Sequence, residues 1–155
     1  MSNSLSRRHL VRRLFVPAAF VLSAAGVLAA APKNPNADAE IRAVMAAQAA
    51  AWNRGDIDGF MEGYARSNST EFVSGGRLTR GWQTLRDRYK KKYGNREKMG
   101  TLTFSNIKIT SLSPDAALAL GRWKLVRKTD KPHGIFSLLF RRTSAGWRIV
   151  HDHTS

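Results

Sequence analysis

The sequence contains no cysteine. That excludes disulfides and lipid-modified cysteine, so the folded part must be held by packing alone. Acidic residues are scarce, with 11 Asp and Glu against 26 Lys and Arg, giving a formal charge of +15. Such an excess invites a nucleic-acid reading. The basic residues, however, are spread over helices, strands and turns and do not form one stripe with interleaved aromatics, so no nucleic-acid partner is expected. A solvated basic face, with some attraction to acidic surfaces, accounts for the charge. There is no internal repeat. With no cysteine, metal binding would fall to the histidines, and the three outside the first 30 residues, His133, His151 and His153, make a poor metal set, so neither metal nor cofactor is expected.

Long apolar runs are also missing, apart from Leu14–Val27, which is short for a membrane span and contains Pro17. It follows Arg7, Arg8, Arg12 and Arg13 and precedes Leu28-Ala29-Ala30-Ala31. A positive start, an apolar middle and a small-residue end describe an export signal over residues 1–30, cut after Ala29 or Ala30. An uncleaved anchor is the alternative. The paired arginines of Ser6-Arg7-Arg8-His9-Leu10-Val11 also fit a twin-arginine signal. The expected location is periplasmic or secreted, with membrane contact only through the signal. Without residues 1–30 the chain keeps 22 Lys and Arg against 11 Asp and Glu, a charge of +11.

Residues 31–37, with Pro32 and Pro35, are a linker by composition, and one domain spans residues 38–155. Ile41, Val44, Met45, Gln48 and Trp52 share one face of a helix. Gly55 stops it and Asp56 caps a second helix carrying Ile57, Phe60, Met61 and Tyr64. Glu71–Ser74 and Arg77–Thr79 are short strands about a Gly75-Gly76 turn. Trp82, Leu85, Tyr89 and Tyr93 give a third helix whose other face is basic.

From Met99 the period becomes two. Four long strands follow, with a bulge expected near Ser105-Asn106. Phe136, Leu138 and Phe140 oppose Ile135 and Leu139, while Trp123 and Leu125 oppose Leu120 and Val126. Three helices cover one face of such a sheet, and a second copy of the chain is the simplest cover for the other. A homodimer through the sheet face is therefore expected.

The last strand, Gly146 to Thr154, has an apolar stem and a polar tip, which suits the wall of a pocket. Strict alternation puts Trp147, Ile149, His151 and His153 on one face and Arg148, Val150, Asp152 and Thr154 on the other. His151 and His153 lie about 7 Å apart along the strand and are candidates for acid–base work. They could instead be a hydrogen-bonded wall residue and a seam residue. Asp152 could pair with Arg122, could be a buried general acid or base, or could sit in a surface salt bridge. Arg122, among apolar neighbours, either extends to solvent or holds a carboxylate. Tyr64 is the hydroxyl candidate. Trp52, Tyr64, Trp82 and Tyr89 could line a ligand pocket, with Arg122 and His153 as its polar contacts.

The Trp52-Asn53-Arg54-Gly55-Asp56 corner, the Gly81-Trp82 helix start and the terminal Gly-Trp-Arg-Ile-Val-His-Asp-His-Thr-Ser together resemble the nuclear transport factor 2-like superfamily. Within it, the chain is similar to the SnoaL-like group and to the association domain of calcium/calmodulin-dependent protein kinase II. The resemblance covers residues 38–155. It implies an α+β cone: a curved antiparallel sheet wrapped around three N-terminal helices, a nuclear transport factor 2-like or cystatin-like roll with a cavity at its wide end. It implies dimerisation through the convex face, and it matches Arg122 to an inward arginine of the kinase domain. The catalytic Asp of the ketosteroid-isomerase branch falls at Val73 here, with Glu71 of the same parity.

Two functional expectations follow. One is a dimeric, exported binding domain for an apolar or carboxylate-bearing small organic molecule. The other is an isomerase, dehydratase or cyclase with His151, Asp152 or His153 as base and Tyr64 as hydrogen-bond donor. A module acting through its basic surface is a third.

Overall fold

The computed structural model describes residues 34–155, so the expected export signal lies outside the described residues. Ten elements follow in order: α1 (Ala37–Asn53), α2 (Ile57–Met61), β1 (Glu71–Ser74), β2 (Arg77–Arg80), α3 (Trp82–Lys92), α4 (Arg96–Met99), β3 (Thr101–Ser113), β4 (Ala116–Val126), β5 (His133–Thr143) and β6 (Gly146–Thr154). The three expected helices and the four-strand meander are present, but the second helix ends at Met61, so Tyr64, expected on it, lies beyond it in a bridge to Ile149. The one-turn α4 is additional, nucleated by the Asn95 side chain, which accepts from the Lys98 N–H at 2.9 Å.

All six strands form one sheet in the order β2-β1-β6-β5-β4-β3. Every neighbouring pair is antiparallel except β1 and β6, which run parallel. The chain's last strand is thus an inner strand, held by β5 on one side and β1 on the other. The expected bulge in β3 occurs between Ser105 and Lys108, where Asn106 takes a φ of 53°. Bulges bend a strand and increase its twist, and here they help curl the sheet into a cone.

Helix α1 lies in the concave side. Ile41, Met45, Gln48 and Trp52 are buried, and they meet Met61, Leu85, Phe140, Trp147 and Ile149 in one core. The Trp52–Asp56 corner is a set of ties to other elements. The Trp52 indole N–H donates to the Met99 carbonyl at 3.1 Å. Asn53 gives and receives a hydrogen bond with the Leu102 backbone, at 3.0 and 2.7 Å, as a neighbouring strand would. Gly55 supplies a φ of 87°, and Asp56 accepts from the Gly59 N–H at 2.7 Å. The motif fixes the wide end of the cone to α1.

The two faces of the sheet divide as the alternation predicts on β4 and β5. Leu125, Phe136, Leu138 and Phe140 are buried, while Leu120, Val126 and Ile135 are 43%, 40% and 54% exposed on the other side. On β6 strict alternation fails. Phe140 pairs with Ile149 and Leu139 with His151, so Val150 is an extra residue in the strand. Ahead of this bulge the odd residues Trp147 and Ile149 point inward; beyond it the inward position passes to Asp152, which is buried, while His153 is exposed. Exposed Arg122 lies on the outer parity of β4, beside Ile135.

These placements set relative costs. Phe140→Ala should lower stability by about 3–5 kcal/mol through the lost transfer energy and the cavity left behind. Arg122→Ala should stay within about 0.5 kcal/mol. Urea denaturation of both variants measures this, and comparable costs would contradict the division of faces.

Candidate functional site

The concave side is not filled at its wide end. A cavity of about 130 Å³ remains there, walled by Trp52, Phe60, Phe72, Tyr89, Phe104, Phe136 and Leu138 among others. Gln48, Tyr64, Ile149 and Asp152, all but fully buried, form its inner part. Ser74, Arg88, Lys92, Tyr93 and Trp123, half-buried or exposed, form its rim. An apolar cavity of this size accommodates about one six-membered ring.

Two backbone features bring the polar groups together. Residues 63–65 run parallel to β6: the Ile149 N–H donates to the Gly63 carbonyl and the Ala65 N–H to the Ile149 carbonyl, both at 2.9 Å. This fastens Tyr64 against β6. The bulge at Val150 then turns Asp152 to the same side. As a result the Tyr64 hydroxyl donates to Asp152 Oδ2 at 2.6 Å, and the Thr154 hydroxyl donates to Asp152 Oδ1 at 2.6 Å.

Asp152 is 4% exposed and faces no cation within hydrogen-bond reach among the described residues. Burial disfavours its charged form and lifts its pKa to about 6, although the Thr154 and Tyr64 hydrogen bonds pull the other way. The Tyr64 phenol is pushed well above its ordinary value, by burial first and then by the Asp152 charge beside it. The Tyr89 phenol is raised for the same two reasons. Both tyrosines therefore remain donors at neutral pH, while Asp152 changes charge close to it.

The structure sorts the sequence candidates. Trp52, Tyr64, Tyr89 and Asp152 are brought together in the cavity wall. His151 and His153 are not. His151 Nδ1 lies 3.1 Å from Glu71 Oε2, and Glu71 also accepts from Arg80 at 2.7 Å, forming an outer polar cluster across β6, β1 and β2. The Val150 bulge is the reason, since it moved the inward parity from the histidines to Asp152. Trp82 is also outside the cavity; its indole N–H donates to the Met61 carbonyl at 3.0 Å, and Arg66 stacks 4.7 Å from its ring centre. Arg122 neither reaches the cavity nor pairs with Asp152, because the inward positions of this part of β4 are Gly121, Trp123 and Leu125. Glu71 and Val73 point away as well, so the cavity has no carboxylate at the β1 position.

Thr154, Arg88 and Lys92 were not singled out by sequence reasoning. For Thr154 a signal existed: the adjacent Ile149-Val150 pair breaks the apolar–polar alternation and marks the phase slip that turns Asp152-x-Thr154 inward.

The raised pKa of Asp152 has a consequence for stability. A carboxyl whose folded pKa of about 6 exceeds its unfolded value of 3.8 binds its proton more tightly when folded. This group therefore adds stability as pH falls from above 6 to below 4, on the order of 3 kcal/mol in all. Asp152→Asn should abolish that component. The difference between the urea stabilities of the natural chain and the variant, followed from pH 7.5 to 4.5, should change with this sign; a constant difference would contradict the assignment.

Comparison with known proteins agrees with this architecture. The family model described as "SnoaL-like domain" matches residues 41–155. A nuclear transport factor 2-like protein of unknown function from Shewanella oneidensis MR-1 is 38% identical, with a TM-score of 0.74 over 77% of this chain and 98% of that one. A similar protein of unknown function from Pseudomonas putida KT2440 has 19% identity and a TM-score of 0.66, over 80% of this chain and 89% of that one. A protein with a cystatin-like fold from Nostoc punctiforme PCC 73102 has 13% identity and a TM-score of 0.63, over 79% and 92% respectively. The last two likenesses concern the fold alone. No curated protein matches the sequence. From the family match and the Shewanella relative, the chain belongs to the SnoaL-like family of the nuclear transport factor 2-like superfamily.

Proposed function

We propose that this domain binds a small, ring-sized organic molecule in its cone and moves a proton on it, with Asp152 as the general base and acid. The observation that carries the reading is the Tyr64–Asp152 pair: a carboxyl that titrates at about 6, in the wall of an apolar cavity, oriented by two hydroxyl donors. A base with a pKa near working pH combines a useful charged fraction with a useful driving force. An aspartate at its ordinary value would be much weaker. Each carboxylate oxygen accepts one hydroxyl and keeps a further lone pair for a substrate proton. Tyr64 spends its one proton on holding Asp152, and Tyr89, protonated as well, can stabilise negative charge developing on a substrate oxygen. Abstraction of a proton next to a carbonyl, and its return elsewhere, is the chemistry this set fits. Isomerisation, dehydration and ring closure all use that step.

The dimer and the export signal belong to the same proposal. Leu120, Val126 and Ile135 stand exposed on the convex face. A second copy packed there would remove them from water. The described elements of the cone all begin at Ala37 or later, which supports a removable leader over residues 1–30.

Solvent deuterium incorporation tests the proton-transfer reading. Ring-sized ketones and β-dicarbonyls incubated with the protein in D2O should gain deuterium faster than in buffer, as read by mass spectrometry. Asp152→Asn should slow this by about 10²–10⁴-fold. The rate should rise with pH through about 6 as the base form appears. In Tyr64→Phe this rise should move to higher pH, because a hydrogen bond that favours the charged form is lost. Exchange that ignores Asp152→Asn would refute the reading. A separate check is sedimentation velocity at micromolar concentration: a dimer is expected for the natural chain, and a monomer for Leu120→Glu combined with Ile135→Glu.

A further inference from the structure

Helix α3 carries two pairs of cations at the spacing that places side chains one turn apart, and the two are treated differently. Arg86 and Lys90 share one acid: Arg86 Nε lies 2.6 Å from Asp58 Oδ1 and Lys90 Nζ lies 2.9 Å from Asp58 Oδ2. Arg88 and Lys92 have no acidic partner among the described residues. Arg88 donates to the Thr79 hydroxyl at 2.5 Å and stacks 5.1 Å from the Phe72 ring centre, both neutral partners. Lys92 lies 5.2 Å from the centre of the Tyr93 ring. It is this second pair that lines the cavity rim. Among the described residues the only acid in the cavity wall is Asp152, and it belongs to the inner part with Tyr64.

The cavity is therefore graded. Two uncompensated cations stand at the opening, aromatic and aliphatic walls follow, and a protonatable carboxyl with hydroxyl donors lies within. Arg88 is half-buried against Phe72, where an unpaired charge is partly desolvated and gains most from an anion. Its hydrogen bond to Thr79 uses one of five N–H donors and leaves the rest of the guanidinium fork for a ligand. We infer that the ligand of this site is an organic carboxylate: a single ring or comparable apolar body inside the cone, with its carboxylate at the rim between Arg88 and Lys92. The inference rests on the cavity being the binding site, as proposed above, and adds the charge class of what enters. It also places the anion on α3 and not on Arg122.

A matched pair of probes tests it. Binding of 3-phenylpropanoate and of 3-phenylpropan-1-ol, followed at pH 7.5 by chemical-shift titration, compares the same apolar body with and without the charge. The natural protein should bind the acid at least about tenfold more tightly than the alcohol, in keeping with charge-assisted hydrogen bonds. Arg88→Gln combined with Lys92→Gln should remove that preference, so that acid and alcohol bind about equally, and the persisting amide chemical-shift dispersion shows the variant to be folded. Arg86→Gln combined with Lys90→Gln should keep the preference, although it alters the charge of the helix equally. Equal affinity for acid and alcohol in the natural protein would overturn the carboxylate inference and leave the cavity reading standing. A preference that survives loss of Arg88 and Lys92 would overturn the assignment of these residues. Binding of neither probe in the cavity would overturn the binding reading and this inference with it.

Discussion

The hydrogen bond from the Tyr64 hydroxyl to the buried Asp152 carboxyl is the interaction on which the functional half of this structure depends. It joins the segment after α2 to the final strand, and so to the inner edge of the cavity. The buried carboxyl that it holds is a stability cost that the fold carries. Among the described residues ionised Asp152 has no cation within hydrogen-bond reach, and its two hydroxyl donors only partly replace the water it has lost. A packed aliphatic side chain at this position would give a quieter core. Keeping a carboxyl where it is hard to ionise is the pattern of acid–base sites, in which environment tunes one group to the working pH.

That bond exists because two backbone irregularities agree. The parallel bridge between residues 63–65 and Ile149 fixes Tyr64 beside β6, and the extra residue Val150 reverses the parity of everything after it. Without the bulge the inward positions would be His151 and His153. The cone would still close, since Trp147 and Ile149 lie before the slip. The chemistry of the cavity would differ. A single inserted residue in one strand thus separates what the scaffold needs from what the site uses. The same cone hosts many activities for this reason: its curvature comes from the sheet, and its reactivity from a few inward side chains.

Much of this was legible from the residues. The 3.6-residue spacing of Ile41, Met45, Gln48 and Trp52, the Gly55-Asp56 corner and the clear alternation of Phe136, Leu138 and Phe140 led to the right helices, strands and faces. The β3 bulge was visible because the apolar parity itself changes between Phe104 and Ile107. On β6 the Ile149-Val150 pair is the one mark of the slip, and the polar residues beyond it do not themselves show which of His151, Asp152 or His153 is buried. Alternation left two readings open for Arg122, and the structure takes the first: it extends to solvent on the outer face with Leu120, opposite Trp123 and Leu125, and so it is not a contact of the cavity. The Arg88 and Lys92 pair could not be told from Arg86 and Lys90 by spacing alone. Only the position of Asp58, brought across from α2, neutralises one pair and leaves the other at the rim.

The central claim is that the cavity wall holds a carboxyl poised to exchange a proton near neutral pH. Its most direct test is the titration of the Asp152 carboxyl itself, followed by the ¹³C shift of its side-chain carbon in protein labelled at aspartate, with Asp152→Asn assigning the signal. A midpoint of about 6 is predicted, two pH units above the ordinary carboxyl. A midpoint at or below 3.8 would show Asp152 to be a plain charged residue, and the proton-transfer account of this protein would be wrong.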